Sequence, residues 1–143
     1  NNNIKKRELW RPFAPSVLEE WAEDCFISER KEPYMLSVVS VSAEWRDKIP
    51  ACLHCDDTAR YQTVAKDIFP LFYMLIEEFR KATSIPLVVN TSFNRAGEPI
   101  IETPGDAIKC MIESELDWLA IEDFVVTKKK NKDFLNNLTR IIK

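Results

Sequence analysis

The spacing of apolar residues predicts one long amphipathic helix near the middle of the chain. Over residues 70–83, apolar side chains recur at helical spacing and charged side chains occupy the positions opposite them. The apolar face is formed by Leu71, Met74, Leu75 and Phe79, and the charged face by Glu77, Glu78, Arg80 and Lys81. We therefore predict a helix over the whole of this segment.

Local start signals indicate three further helices. A Ser-x-x-Glu sequence beginning at Ser16 is typical of a helix N-terminus, and apolar residues follow it at helical spacing, so a helix is predicted from about residue 16 to 25. At Thr103, a capping threonine precedes a proline and an acidic first-turn residue, which predicts a second helix beginning there. A short helix is expected to begin at Ser42.

Short runs of β-branched and apolar residues predict the strands. They cover residues 34–41, 86–89, 116–121 and 124–127. The strand at 86–89, the helix from Thr103 and the strand at 116–121 follow one another in the order of a βαβ unit, whose crossover is expected to be right-handed. The predicted fold class is therefore α/β, with a mixed sheet and flanking helices in one domain.

The loop that follows the strand at 86–89 is the first candidate for chemistry. Residues 90–94 read NTSFN, so four of five side chains are uncharged hydrogen-bonding groups. Ligands of α/β sheets bind beyond the carboxyl ends of strands, and small polar side chains suit an oxygen-rich ligand such as a phosphate or carbamoyl group. The alternative is a loop held by its own side-chain hydrogen bonds. With two glycines in the chain, neither a Walker motif nor a dinucleotide-binding glycine motif is present.

Charge is distributed unevenly and narrows the classes of partner. The net charge of −3 combines +3 in residues 1–11, +5 in residues 128–143 and −11 between them. An acidic centre with few cations disfavours binding to nucleic acid. The basic tail, residues 128–143, also carries apolar residues at helical spacing, which favours a solvated amphipathic helix over a phosphate or RNA patch.

No segment is apolar enough over about 20 residues to span a membrane, and no signal peptide is visible at the first residues. The four cysteines are expected to be free thiols in a reducing cytoplasm. Cys52, His54 and Cys55 lie close together in sequence and suggest zinc, but a second ligand pair is lacking, so small core thiols are the preferred interpretation and no metal site is predicted. A Cys–His nucleophile is the weakest alternative.

Arg60 is the only cation between Lys48 and Lys66. A guanidinium in an acidic domain either pairs with a carboxylate, here Asp56 or Asp57, or presents its planar fork to a phosphate. From the residues alone, these two alternatives stay open.

Four motifs in register resemble one known family. They are KKRELWRPFAPSVL at residues 5–18, PYM at 33–35, IPA at 49–51 running into HxDxTARxQTV at 54–64, and NTSFNxxGEPI at 90–100. Together they are similar to the C-terminal domain of the O-carbamoyltransferases, which include the nodulation-factor and antibiotic carbamoyltransferases. The resemblance covers roughly residues 4–126, so the domain is assigned to residues 1–127 and the basic tail to 128–143.

The resemblance implies a YrdC-like mixed, twisted sheet that forms one lobe of a two-lobed enzyme. This lobe makes carbamoyl adenylate from carbamoyl phosphate and ATP, with Mg²⁺ accompanying the nucleotide. An N-terminal lobe, absent from this sequence together with the segment just upstream, holds iron or another divalent metal and transfers the carbamoyl group to an acceptor hydroxyl. The implied partners are carbamoyl phosphate, ATP and that lobe, without nucleic acid or membrane, and the isolated domain is not expected to complete transfer.

Five positions of the motifs match residues that hold the nucleotide and carbamoyl groups in the family. Lys5, Arg11 and Arg60 are the catalytic and nucleotide-binding candidates, and Asn90 and Ser92 are binding candidates. Cations stabilise the phosphate charge of adenylate formation, while small polar groups orient the neutral carbamoyl group. An enzyme lobe is expected to bring the five into one cleft. A non-catalytic nucleotide-binding or regulatory module of the same fold is the alternative.

Three details of the match stay open. Lys6 competes with Lys5 for its role, because a shift of one residue exchanges the two. The family commonly has glycine where Asp57 stands, which puts the local turn in doubt. His54 and Asp56 match the motif, and either contact ligand or hold Arg60.

Overall fold

A computed structural model describes Lys5 and residues 11–128 of the chain. The backbone divides into two compact units. Residues 12–91 form one unit, here called the strand unit, and the other described residues, Lys5, Arg11 and 92–128, belong to the second, here called the hairpin unit. The basic tail predicted at 128–143 lies outside the described residues from position 129 onward.

The described residues contain seven strands and four α-helices. The strands are β1 (Ala14–Leu18), β2 (Val38–Ser40), β3 (Thr58–Arg60), β4 (Gln62–Val64), β5 (Leu87–Asn90), β6 (Trp118–Ile121) and β7 (Phe124–Thr127). The helices are α1 (Ala22–Cys25), α2 (Ala43–Arg46), α3 (Pro70–Thr83) and α4 (Pro104–Glu113). The fold class is thus mixed α/β, as predicted. No helix in this part of the chain is long and apolar enough to cross a membrane.

The strand unit is built on a three-stranded sheet with β1 at its centre. β4 pairs with β1 in parallel and β5 pairs with β1 in antiparallel orientation, so the sheet is mixed. β2 and β3 form a separate antiparallel pair. Two apolar clusters pack against these strands, the larger one around Phe26 and Tyr61, whose rings stack 4.6 Å apart between centroids.

The helix predicted from residue 16 to 25 is wrong in its first half. Residues 14–18 form β1, in which all five residues are buried, and the chain becomes α-helical only at Ala22. The side chain of Ser16 does not cap a helix, because it is directed to β4 and donates a hydrogen bond to Gln62 Oε1 at 2.7 Å. A strand buried on both faces lacks the alternation of apolar and polar residues by which strands are recognised in sequence. The Ser-x-x-Glu sequence was therefore the local signal that was followed, and it indicated a helix.

The helix predicted over residues 70–83 is confirmed to the residue as α3, but its buried face is not the predicted apolar face. Ile76 is fully buried, with Phe72 and Tyr73 packed around it. Leu71 is 81% exposed, and Met74 and Leu75 are each 57% exposed. Residues 71–76 are all apolar, so spacing alone could not show which side faces the sheet.

The strand predicted at 34–41 is shorter in the structure. Only Val38–Ser40 pairs with β3, while Tyr34 and Leu36 are exposed on the preceding segment. Met35 has φ +57°, in the left-handed region, which interrupts extended backbone at this point. The short helix expected from Ser42 is confirmed as α2.

The hairpin unit contains α4 and the antiparallel pair β6–β7. Thr103 Oγ1 accepts a hydrogen bond from the Asp106 N–H at 3.2 Å, so the predicted helix start is confirmed. Met111 and Leu119 pack together in the core of this unit. The predicted βαβ unit is wrong, because β6 pairs with β7 in a two-stranded sheet and not with the sheet that contains β5.

Candidate functional site

A partly buried hydrogen-bond network surrounds Asn90, the last residue of β5. Asn90 Nδ2 donates to Gln62 Oε1 at 2.9 Å and lies 3.0 Å from Ser16 Oγ. Ser16 Oγ in turn donates to Gln62 Oε1 at 2.7 Å. The three residues come from β5, β4 and β1, so the mixed pairing of the sheet is what brings them together.

The network continues from Gln62 to the loop before β2. Gln62 Nε2 donates to the carbonyl oxygen of Pro33 at 3.0 Å. The neighbouring residues hold the same loop, since the Tyr61 hydroxyl donates to the Arg30 carbonyl at 2.7 Å and the Thr63 N–H donates to the Glu32 carbonyl at 3.0 Å. Three consecutive residues, 61–63, thus fasten the loop that ends in the PYM motif.

Arg60 is the exposed last residue of β3, and the two carboxylates proposed to pair with it are engaged elsewhere. Asp57 Oδ2 accepts a hydrogen bond from Arg46 Nη1 at 2.7 Å, and Asp56 Oδ1 accepts from the Thr58 hydroxyl at 2.7 Å. Within the described residues, the Arg60 guanidinium has no ion-pair or hydrogen-bond partner. The structural alternative, in which Arg60 is held by Asp56 or Asp57, is therefore wrong.

His54 and Asp56 hold the turn that leads into β3. His54 Nδ1 lies 2.9 Å from Thr58 Oγ1, and the backbone of His54 pairs with that of Thr58. Hydrogen bonds from Thr58 lower the pKa of the Asp56 carboxyl below its ordinary value. Both residues thus shape the turn and make no hydrogen bond to Arg60.

Asp57 occupies a backbone position that suits glycine. Its φ is +61°, in the left-handed region, which glycine adopts without steric cost. An aspartate tolerates this region better than most residues, and its carboxylate gains the ion pair with Arg46. The turn is therefore formed in spite of the departure from the motif.

In the hairpin unit, Lys5 is held by the loop that carries Ser92. Lys5 Nζ donates to the Ser92 carbonyl at 2.7 Å, to Asn94 Oδ1 at 2.8 Å and to the Asn94 carbonyl at 2.9 Å, and Ser92 Oγ lies 3.4 Å away. Ser92 Oγ also donates to Asn94 Oδ1 at 2.6 Å. Lys5 and Ser92, two of the five predicted site residues, are thus brought together. Arg11 is exposed.

The sequence did not point to Ser16 and Gln62 as site residues, although both contact Asn90. The available signal was a polar side chain inside a run that otherwise reads as buried strand. Ser16 is completely buried in β1, and Gln62 lies next to the buried Tyr61. Asn94 was seen only as part of the loop, and its side chain is the acceptor that connects Lys5 with Ser92.

The cysteine cluster does not form a metal centre in the described residues. Cys52 is buried and Cys55 is exposed, so the two thiols have different surroundings. Burial raises the pKa of Cys52 to about 11 and that of Cys25 to about 12, which keeps both thiols protonated. No group of three His, Cys, Asp or Glu side chains in the described part is arranged to hold a metal ion.

A cavity of about 200 Å³ lies beside α4 in the hairpin unit. Its charged lining is mostly acidic, comprising Glu98, Glu102, Asp106, Glu113 and Lys109. Carboxylates repel an anionic ligand, so this cavity does not suit a phosphate. None of the five predicted site residues lines it.

The described residues thus form a mixed α/β fold with a hydrogen-bond network at the end of β5. Comparison with known proteins identifies the family. A family model for the carbamoyltransferase C-terminus matches residues 1–128. The chain therefore belongs to the carbamoyltransferase C-terminal domain family, which confirms the resemblance seen in the motifs.

Named relatives agree with this assignment. The chain is 41% identical over 132 residues to nodulation protein NolNO of Sinorhizobium fredii, covering 90% of this chain and 19% of that protein. It is 42% identical over 132 residues to nodulation protein NolO of Bradyrhizobium diazoefficiens, covering 90% and 24%. An uncharacterised protein of Synechocystis is 40% identical over 148 residues, covering 90% and 24%. The chain thus spans a quarter or less of the length of these relatives.

Proposed function

We propose that this chain is the adenylating part of an O-carbamoyltransferase. In this proposal it has a YrdC-like fold, binds ATP and carbamoyl phosphate, and forms carbamoyl adenylate in the cytoplasm. A separate, N-terminal lobe of the parent protein transfers the carbamoyl group to an acceptor hydroxyl and holds the iron or other divalent metal. The family match over residues 1–128 supports the class of reaction.

The observation that carries the proposal is that Arg60 has no carboxylate partner among the residues that the structure describes. In an acidic domain, a guanidinium without a carboxylate partner is available for the two parallel hydrogen bonds that it makes to a phosphate. Asp57, the nearest candidate in sequence, is instead paired with Arg46 at 2.7 Å. Arg60 in this proposal binds nucleotide phosphate and stabilises the charge that develops there.

The remaining residues have distinct roles in the proposal. Lys5 and Arg11 contribute positive charge toward the phosphates, and Ser92 and Asn90 orient the carbamoyl group. Mg²⁺ enters with the nucleotide, since this ion is commonly held by substrate phosphates and waters with few protein ligands. Lys5 must exchange hydrogen bonds to loop oxygens for bonds to phosphate, because its three shortest contacts already match its three N–H donors.

The hydrogen bonds of Lys5 to loop oxygens favour a second candidate function, a nucleotide-binding module that performs no chemistry. If the Lys5 ammonium stays on the loop oxygens of Ser92 and Asn94, it holds the loop and does not act on a phosphate. Such a module would still bind ATP through Arg60. The full-length parent distinguishes the two functions: an adenylating lobe forms adenylate and loses yield in Lys5→Ala, whereas a binding module forms none and keeps its ATP affinity in Lys5→Ala.

Calorimetric titration of the chain with Mg²⁺–ATP tests the proposal. Wild type is expected to bind, and Arg60→Ala to bind roughly tenfold to 150-fold more weakly, as for loss of a hydrogen bond to a charged group worth about 1.5–3 kcal/mol. Arg30→Ala is the matched control, since it removes the same charge from another exposed arginine of the strand unit. Equal binding by all three proteins, or no binding by wild type, would contradict the assignment.

A further inference from the structure

The hydrogen bonds around Gln62 determine which end of the Asn90 amide is an acceptor. The carbonyl of Pro33 can only accept, so the group of Gln62 that contacts it at 3.0 Å must be the NH₂. Gln62 Oε1 is then turned toward Asn90, 2.9 Å away. If the Asn90 amide were reversed, two carbonyl oxygens would meet at this distance, so Asn90 has to present its NH₂.

This arrangement leaves the Asn90 carbonyl oxygen as a hydrogen-bond acceptor. Both contacts of the Asn90 amide, to Gln62 and to Ser16, are made by Nδ2. Its Oδ1 receives no hydrogen bond from any other described residue. Ser16 reinforces the orientation, because its own proton is committed to Gln62 Oε1 at 2.7 Å and its oxygen accepts from Asn90.

We propose that Gln62 is a positioning residue that holds Asn90 Oδ1 as the acceptor for an NH₂-bearing ligand. This inference rests on the proposed function and names the part of the substrate that Asn90 recognises. A carbamoyl group carries an NH₂ that donates to such an oxygen, whereas an acetyl group of similar size and shape carries a methyl there. The network therefore selects carbamoyl phosphate over acetyl phosphate.

Gln62 also links Asn90 to the loop before β2. The orientation of the Asn90 amide depends on the backbone carbonyl of Pro33, the first residue of the PYM motif, because Gln62 contacts both groups. A Gln62→Glu change keeps an acceptor for Asn90 but places a carboxylate oxygen against the Pro33 carbonyl. A Gln62→Met change keeps a side chain of similar shape and removes both the NH₂ donor to Pro33 and the carbonyl acceptor for Asn90.

Paired titrations of the 143-residue chain with carbamoyl phosphate and acetyl phosphate test this inference. Wild type is expected to bind carbamoyl phosphate about tenfold more tightly, which is the effect of one well-placed hydrogen bond. In Gln62→Met the ratio of the affinities for carbamoyl phosphate and acetyl phosphate should fall to about one. Side-chain amide NMR signals serve as the second measurement, since the Asn90 NH₂ should lose protection in this variant.

Thr63→Val is the matched control. Thr63 Oγ1 accepts from the Glu32 N–H at 3.0 Å and so holds the same loop, but it makes no hydrogen bond to Asn90. This variant should keep the wild-type preference for carbamoyl phosphate. Retention of the preference in Gln62→Met, or an equal loss of it in Thr63→Val, would overturn the positioning role.

The wild-type titration separates failure of this inference from failure of the proposed function. Binding of both phosphates with equal affinity would overturn the selectivity assigned to Asn90 and leave the phosphate site standing. Binding of neither phosphate would overturn the proposed function, and the selectivity that depends on it would fall with it.

Discussion

At the scale of single residues, the hydrogen-bond partners of Asn90 come from distant parts of the chain. Asn90, Arg60 and Ser92 were predicted as site residues because they follow strands or match motifs. The contacts of Asn90 come from Ser16, 74 positions away, and Gln62, 28 positions away, so local pattern could not supply them. Whether Arg60 pairs with Asp57 could not be read from the local sequence either, because Asp57 pairs instead with Arg46 of α2.

The backbone conformation of Asp57 gives the first prediction at this scale. At φ +61° a side chain costs about 1 kcal/mol in the folded state, so Asp57→Gly should be more stable than Asp57→Ala by about 1 kcal/mol. Both variants lose the exposed ion pair with Arg46, which contributes about 0–1 kcal/mol and cancels in the comparison. Urea unfolding of the two variants measures the difference.

Asp47 provides the control for that comparison. Its φ is −73°, an ordinary right-handed helical value, so there alanine should be the more stable replacement by about 0.5–1 kcal/mol. The order of glycine and alanine should therefore reverse between the two aspartates. If alanine were also preferred at position 57, the left-handed turn before β3 would be contradicted.

At the scale of elements, the two longest helices of the described residues, α3 and α4, were predicted best. The bounds of α3 and the Thr103 cap of α4 were correct because proline, capping threonine and helical spacing act within a few residues. β1 was mistaken for a helix, and the face of α3 that packs on the sheet was not recognised. Both depend on tertiary burial, which a run of consecutive apolar residues does not encode.

The outer face of α3 predicts self-association of the chain. Leu71, Met74 and Leu75 are more than half exposed on this helix, and contiguous apolar surface of this kind favours association in water. The double variant Leu71→Glu/Leu75→Glu should weaken association at least about tenfold, as expected for losing burial of one to two leucine side chains at about 1.5–3 kcal/mol each. Sedimentation equilibrium over a range of concentrations measures it.

Leu36→Glu is the control for the α3 variants. Leu36 is 82% exposed but lies on the loop before β2 and not on α3, so its replacement should leave association unchanged. Because the substituted leucines of α3 are exposed, the double variant should also unfold at nearly the same urea concentration as wild type. Unaltered association in the double variant would show that this face is not where the copies meet.

At the scale of the whole molecule, each compact unit contains a buried cysteine whose reactivity reports the unfolding of that unit. Cys25 and Cys52 are buried in the strand unit, Cys110 is buried in the hairpin unit, and Cys55 is exposed. A buried thiol with a raised pKa reacts with a disulfide reagent only after its surroundings open, because the reactive species is the thiolate. The order of labelling therefore reports the stability of each unit separately.

Labelling at pH 8 followed by peptide mass analysis is expected to modify Cys55 rapidly and the other three slowly. With increasing urea, Cys110 should become reactive together with unfolding of the hairpin unit, and Cys25 and Cys52 together with unfolding of the strand unit. In Cys55→Ser the rapid phase should disappear, while Cys110→Ser should leave it intact. Rapid modification of Cys25 or Cys52 without urea would contradict their burial, because a buried thiol with a pKa of about 12 or 11 carries almost no thiolate at pH 8.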